Sequence, residues 1–75
     1  MRYGTVDTVG EISLGINGPI AKIGEVWSIV IDGERHYGEV TATNTKGFVL
    51  ALYSKTKGIA PGTKVFFESP FPTQR

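Results

Sequence analysis

The stretch Glu25–Ala42 constrains this chain more than any other. Two apolar runs, "EVWSIVI" and "RHYGEVTA", flank an Asp32-Gly33 pair. Asp-Gly between alternating hydrophobic runs is the strongest short-range hairpin signal, because both positions of a tight turn tolerate positive φ. A two-residue loop at Asp32-Gly33 and a four-residue loop from Asp32 to Arg35 preserve the same parity. In either register Trp27, Ile29 and Ile31 share one face with His36, Gly38, Val40 and Ala42, and this face is read as core. Val26, Ser28 and Val30 fall on the other face with Tyr37, Glu39 and Thr41. Trp27 lies either over Gly38 or beside Val40.

No segment sustains a 3.6-residue apolar period, and glycine punctuates short alternating runs throughout. Four more strands are expected: "YGTVDTV" from Tyr3, "EISLGI" with Ile12, Leu14 and Ile16 on one face, "FVLALY" from Phe48, and "TKVFFE" from Thr63. A weak repeat links them. "YGTV" at Tyr3 recurs as "YGEV" at Tyr37, and "KIGEV" at Lys22 is answered by "KGIAPGTKV" at Lys57. Each half reads strand, strand, loop, strand. Two such units closing on each other predict an all-β, closed six-stranded antiparallel barrel with a pseudo-twofold repeat, which leaves no open sheet edge. Residues 1–68 form the barrel in this reading, and 69–75, "SPFPTQR", begin a linker. At 75 residues the chain holds one domain of modest stability.

Functional classes are narrowed mainly by what is missing. With no cysteine and one histidine, neither a disulfide framework nor a thiolate metal site is expected. His36 reads as a partly exposed hairpin residue. The four serines have no second histidine to draw on as a base, and "GTK" at Gly62 has the wrong order for a phosphate loop. Glu25 and Glu39 fall on neighbouring strands and read as solvated carboxylates. "GINGP" reads as a turn set by backbone geometry. No catalytic, cofactor or metal residue is therefore expected. The N-terminus lacks the long apolar core of a signal peptide or membrane span.

Net charge is +1, less than a dedicated nucleic-acid binder needs. Up to Thr43 there are six acids against three bases; from Asn44 onward there are five bases against one acid. The plain reading is scatter over a solvated surface, and the sharper one is a domain whose two sides carry opposite charge. "TKGFVLALY" resembles the aromatic-bearing strands on which RNA-binding domains stack bases. However, the run after Phe48 suits burial, which assigns Phe48 to the core.

Taken together, "YGTVDTVGEI", "IGEVWSI", "GEVTA", "FVLALY" and "GIAPGTKV" resemble the N-terminal β-barrel of the hexameric ATPase superfamily. That superfamily comprises the F-, V- and A-type rotary ATPase subunits and the flagellar and type III secretion export ATPases. The matching residues are Gly4, Val6, Val9 and Gly10; Ile23, Gly24 and Glu25; Gly38, Glu39 and Val40; and Gly58, Ile59, Pro61, Gly62 and Val65. The Ile-Gly-Glu and Ile-x-Pro-Gly forms lean toward the export branch. Val9-Gly10 closes the first turn one residue early, and Glu68-Ser69 stands where Thr-Gly is frequent.

The resemblance implies a non-catalytic assembly domain that joins identical or homologous subunits into a ring. MgATP is then handled by a separate nucleotide-binding domain beyond "SPFPTQR". It also implies a cytoplasmic location, peripheral to a membrane-embedded complex, with no nucleic-acid partner. The expected ring contact sets an acidic-apolar face of Val26, Val30, Tyr37 and Glu39 against a lysine-bearing side that includes Lys55 and Lys57. The alternative is a free-standing barrel that binds RNA or single-stranded DNA.

Overall fold

A computed structural model describes residues 2–54 and 57–70. It is an all-β closed barrel of six antiparallel strands: β1 (Tyr3–Val9), β2 (Ser13–Asn17), β3 (Val26–Ile31), β4 (Glu34–Thr43), β5 (Gly47–Leu52) and β6 (Lys64–Ser69). Around the barrel the order is β1-β2-β5-β4-β3-β6, closing back on β1. At the β3–β4 turn Asp32 (φ 51°) and Gly33 (φ 81°) both have positive φ, as the two-residue hairpin requires. That turn sets Trp27 opposite Gly38 and Ile31 opposite Glu34.

The internal repeat extends to the register. Advancing β1 and β2 by 34 residues turns the Thr5–Asn17, Val6–Ile16, Thr8–Gly15 and Val9–Leu14 pairs into Glu39–Ala51, Val40–Leu50, Ala42–Val49 and Thr43–Phe48. Both sets are observed, and each strand carries its bulge at the same step. The third strand of each unit follows at an offset of 38, because β5 runs one residue further than β2 and the loop after it is three residues longer. Gly24 and Gly62, at matching places ahead of β3 and β6, have φ of 96° and 94°. Both donate a backbone N–H to a β-strand carbonyl, Gly24 to Val40 at 2.9 Å and Gly62 to Val6 at 2.7 Å. A residue with a side chain is strained in that left-handed region.

Inside, Trp27, Phe48, Leu14, Ile29, Leu50, Val40 and Val65 are fully buried. The Trp27 ring meets Phe48 at 4.7 Å in a tilted arrangement and Phe67 at 5.8 Å edge-on, favourable geometries for aromatic pairs. The reason for glycine at position 38 lies elsewhere than under that ring. A Cβ there would stand 2.6 Å from the Ala51 carbonyl oxygen and 3.1 Å from Leu50 Cγ, so it is the approach of β5 that excludes one. Gly4 repeats the arrangement against β2, with Asn17 O and Ile16 Cγ2 both at 2.8 Å. The two "YG" pairs of the repeat are thus one steric requirement met twice.

Three expectations need correction. Ala42 is exposed, because the bulge between Val40 and Ala42 reverses the side-chain alternation. Ile12 precedes β2 and is exposed, so only Leu14 and Ile16 of that trio reach the core. Val26, assigned to the outer face, is buried.

Candidate interaction surface

The interior is packed, so the site is sought outside. Outward-facing side chains follow the same pairings as the backbone. Tyr53 donates its N–H to the Tyr37 carbonyl at 3.0 Å. Tyr37 stands opposite Ser28, Ser28 opposite Phe66, and Phe66 opposite Tyr3. One row therefore crosses four strands and the residue that follows β5: Tyr53, Tyr37, Ser28, Phe66, Tyr3. Tyr3, Tyr37 and Tyr53 are 50%, 44% and 59% exposed, which is unusual for so many rings on one face of a small domain.

Ser28 interrupts the row with a small side chain, and a polar network fills the gap. Its Oγ donates to Glu68 Oε2 at 2.6 Å and accepts from Arg35 Nη1 at 2.8 Å. Arg35 also pairs with Glu68 Oε2 at 3.3 Å. Ser28 is completely buried by these neighbours. A groove opens on each side of Tyr37. The first is lined by Val26, Tyr37, Tyr53, Glu68 and Ser69, and the second by Arg35, Tyr37, Phe66, Phe67 and Glu68. At the ends of the row, Lys64 Nζ lies 5.2 Å from the Tyr3 ring centroid, while Glu39 lies near the Tyr53 hydroxyl. The Tyr53 hydroxyl is held above its ordinary pKa, first by partial burial and then by the Glu39 charge and hydrogen bond.

The expected contact residues divide as follows. Val30 and Tyr37 are exposed, Glu39 is half-buried, and Val26 forms the floor of the first groove. Lys57 is exposed, and Lys55 lies outside the described residues. The Arg35–Glu68 pair joins members of the two charge groups read along the chain. The remaining segment of the expected linker, 71–75, also lies outside the described residues.

The other residues singled out in the sequence are placed as follows. Phe48 is core. His36 is half-buried, with Nε2 at 3.7 Å from Glu34. Glu25 is only 4% exposed, and its Oε1 accepts from Trp27 Nε1 at 3.1 Å and Arg2 Nη2 at 3.5 Å. The Arg2 guanidinium is stacked 4.5 Å from the Phe67 centroid and 5.5 Å from Trp27. Among the described residues no group of His, Asp and Glu is arranged to hold a metal ion, and no helix is long and apolar enough to cross a membrane.

Sequence reading did not find the aromatic row. It depends on the β3–β6 and β1–β6 pairings, which no local pattern encodes. The pattern to look for was an aromatic at the outward phase of each strand, but Tyr3 and Phe66 are uninformative until the barrel is closed. The chain thus defines a class: a closed six-stranded barrel with a two-unit repeat, a filled core and an aromatic outer face. No protein-family model matches it, and no curated protein does.

Proposed function

We propose that this barrel is an assembly domain of a hexameric ATPase of the rotary or protein-export type, mediating contact between neighbouring subunits and taking no part in catalysis. The observation that carries the reading is the placement of the two family-like turns. Ile23-Gly24-Glu25 and Ile59-Ala60-Pro61-Gly62 head the third strand of each unit, at positive φ and with matching bonds to β4 and β1. These are the places where a two-unit barrel needs them. ATP and its magnesium would be handled by a separate nucleotide-binding domain, and the barrel would sit in the cytoplasm at the edge of a membrane complex.

Subunits in a ring meet through two different patches. On this reading Val30, Tyr37 and Glu39 of one barrel face the lysine side of the next, where Lys57 lies. The test is a graft. This chain replaces the barrel of a hexameric export ATPase, and assembly is followed by sedimentation and by cooperative ATP hydrolysis. The reading expects hexamers, weakened by Glu39→Lys and partly restored by Lys57→Glu. Monomers from the unmodified graft would refute it, and so would micromolar MgATP binding by the barrel alone.

A second reading, binding of RNA or single-stranded DNA, is favoured by one observation, the row of rings with Lys64 and Arg35 nearby. The carboxylates of Glu68 and Glu39 in the same surface oppose a polyphosphate chain.

A further inference from the structure

The loop between β2 and β3 carries the two most exposed large apolar side chains among the described residues, Ile20 at 89% and Ile23 at 69%. We propose that this loop docks on a lipid bilayer rich in anionic headgroups. Ile20 and Ile23 enter the boundary between headgroups and acyl chains, and Lys22 and Lys46 meet the headgroups. The inference concerns the barrel alone and does not rest on the ring reading.

The internal repeat supplies a control for the two isoleucines. Lys22, Ile23, Gly24 and Glu25 form a turn in which the Glu25 N–H donates to the Lys22 carbonyl at 3.1 Å and Gly24 has φ 96°. At the equivalent place in the second unit, Ala60, Pro61, Gly62 and Thr63 form the same turn. There the Thr63 N–H donates to the Ala60 carbonyl at 3.2 Å, and Gly62 has φ 94°. Both follow the type II pattern, whose second position favours proline. Pro61 meets that preference. Ile23 fills the same corner with an exposed branched side chain that the turn does not require. Ile20 likewise stands where the second unit has Gly58. Between them, Ala21 and its counterpart Ile59 both pack on the core. Folding therefore accounts for the anchor of the loop and not for its isoleucines.

The loop is also tied to the barrel on both sides of them. Gly18 donates its N–H to the Lys46 carbonyl at 3.1 Å, and Gly24 donates to the Val40 carbonyl at 2.9 Å. Arg2 Nη2 donates to the Ile20 carbonyl itself at 2.8 Å. The isoleucines are thus presented on a backbone that is already ordered, so burying them elsewhere adds little ordering cost.

Charge and size select the occupant. Lys22 and Lys46 are exposed, and among the described residues neither belongs to an ion pair. Glu25, the acid next to the loop, is buried and already paired with Arg2. Asp7 shares a groove with Lys46 without pairing to it. Unpaired cations beside exposed aliphatic side chains suit an anionic bilayer, which attracts the charge and takes up the apolar groups at shallow depth. Two side chains offer far less area than the roughly 800 Å² per partner of a stable protein interface.

The test uses the 75-residue chain and vesicles of equal parts phosphatidylglycerol and phosphatidylcholine, followed by co-sedimentation at low salt. Binding is expected to these vesicles and not to phosphatidylcholine alone. Ile20→Ser and Ile23→Ser should each weaken it about tenfold, and Lys22→Gln and Lys46→Gln about fivefold. All four positions are exposed, and unchanged urea midpoints show that the variants are folded. A second readout needs no loss of binding. The indole introduced by Ile23→Trp should shift its emission to the blue and be quenched by brominated acyl chains, while Trp27 stays shielded in the core. Absence of binding at millimolar lipid, equal binding to phosphatidylcholine alone, or an unquenched indole overturns the proposal. Dimers in sedimentation equilibrium that Ile23→Ser abolishes overturn it in favour of a second copy of this chain.

Discussion

Replacing Trp27 by phenylalanine tests how the barrel tolerates a nearly buried carboxylate. The indole is fully buried, and its Nε1–H is one of two donors to Glu25 Oε1, at 3.1 Å; the other is Arg2 at 3.5 Å. Phenylalanine keeps most of the contact with Phe48 and Phe67 but supplies no donor. A hydrogen bond to a charged group contributes about 1.5–3 kcal/mol. The missing ring atoms add about 1 kcal/mol of cavity cost. The sum, about 2.5–4 kcal/mol, compares with roughly 4–11 kcal/mol for a whole domain of this length.

The assay is urea unfolding followed by far-UV circular dichroism, because the substitution removes the fluorophore. With a slope near 1 kcal/mol/M for so small a domain, the midpoint should fall by about 2.5–4 M urea. Glu25→Gln separates the two contributions. In the Trp27→Phe background it removes a charge that has lost one of its two donors and keeps only Arg2, so it should cost less there than in the unmodified chain. A midpoint shift below about 1 M, or equal costs of Glu25→Gln in both backgrounds, would refute the claim that the indole donor holds this carboxylate.

Further outcomes follow from the same packing. Gly38→Ala and Gly4→Ala should each destabilise by about 1–3 kcal/mol, since each new Cβ meets backbone; thermal melts of the pair should shift alike. Gly24→Ala and Gly62→Ala place a Cβ in open space and should cost about 1 kcal/mol of backbone strain each, measurable by urea unfolding. Tyr53 should ionise above the ordinary tyrosine range in an ultraviolet titration, and Tyr53→Phe should remove that step. Its raised pKa means that the folded state binds the phenolic proton more tightly. The associated stability is present below pH 10, the unfolded value, and is lost as pH rises through the folded value.

Much of the barrel was readable in the sequence because each strand announces itself locally. Asp32-Gly33 set the central hairpin and its core face; "YGTV" and "YGEV" set the two-unit repeat. Errors arose where a non-local event intervened. A bulge in β4 turned Ala42 outward, and no residue there signals it. Val26 looks like a surface valine on its strand but is buried, at a groove it shares with residues of β4, β6 and the position after β5. Glu25 reads as a solvated acid, yet the closing of the barrel end sets Trp27 and Arg2 against it. The outer aromatic row was invisible for the same reason, since it is assembled from residues on four strands and a loop that meet only after closure.

The repeat in backbone and register contrasts with a division of labour between side chains. At equivalent places Trp27 answers to Val65, Phe48 to Leu14, and Leu50 to Ile16, so the larger ring of each of the first two pairs lies on the same side of the core. Those two rings touch, and Val65 and Leu14 are also fully buried. The core is therefore filled asymmetrically within a symmetric frame. On that account the two units tolerate these glycine substitutions alike, since Gly4 and Gly38 each face the carbonyl oxygen at the equivalent place, of Asn17 and of Ala51. Truncations of the fillers should differ. Trp27→Ala should cost about 3–5 kcal/mol, while Val65→Ala at the equivalent place removes far fewer buried atoms and should cost markedly less. Urea midpoints of the two variants decide the matter. Equal losses would mean that packing, like register, follows the twofold, and that the large ring carries no special share of the core.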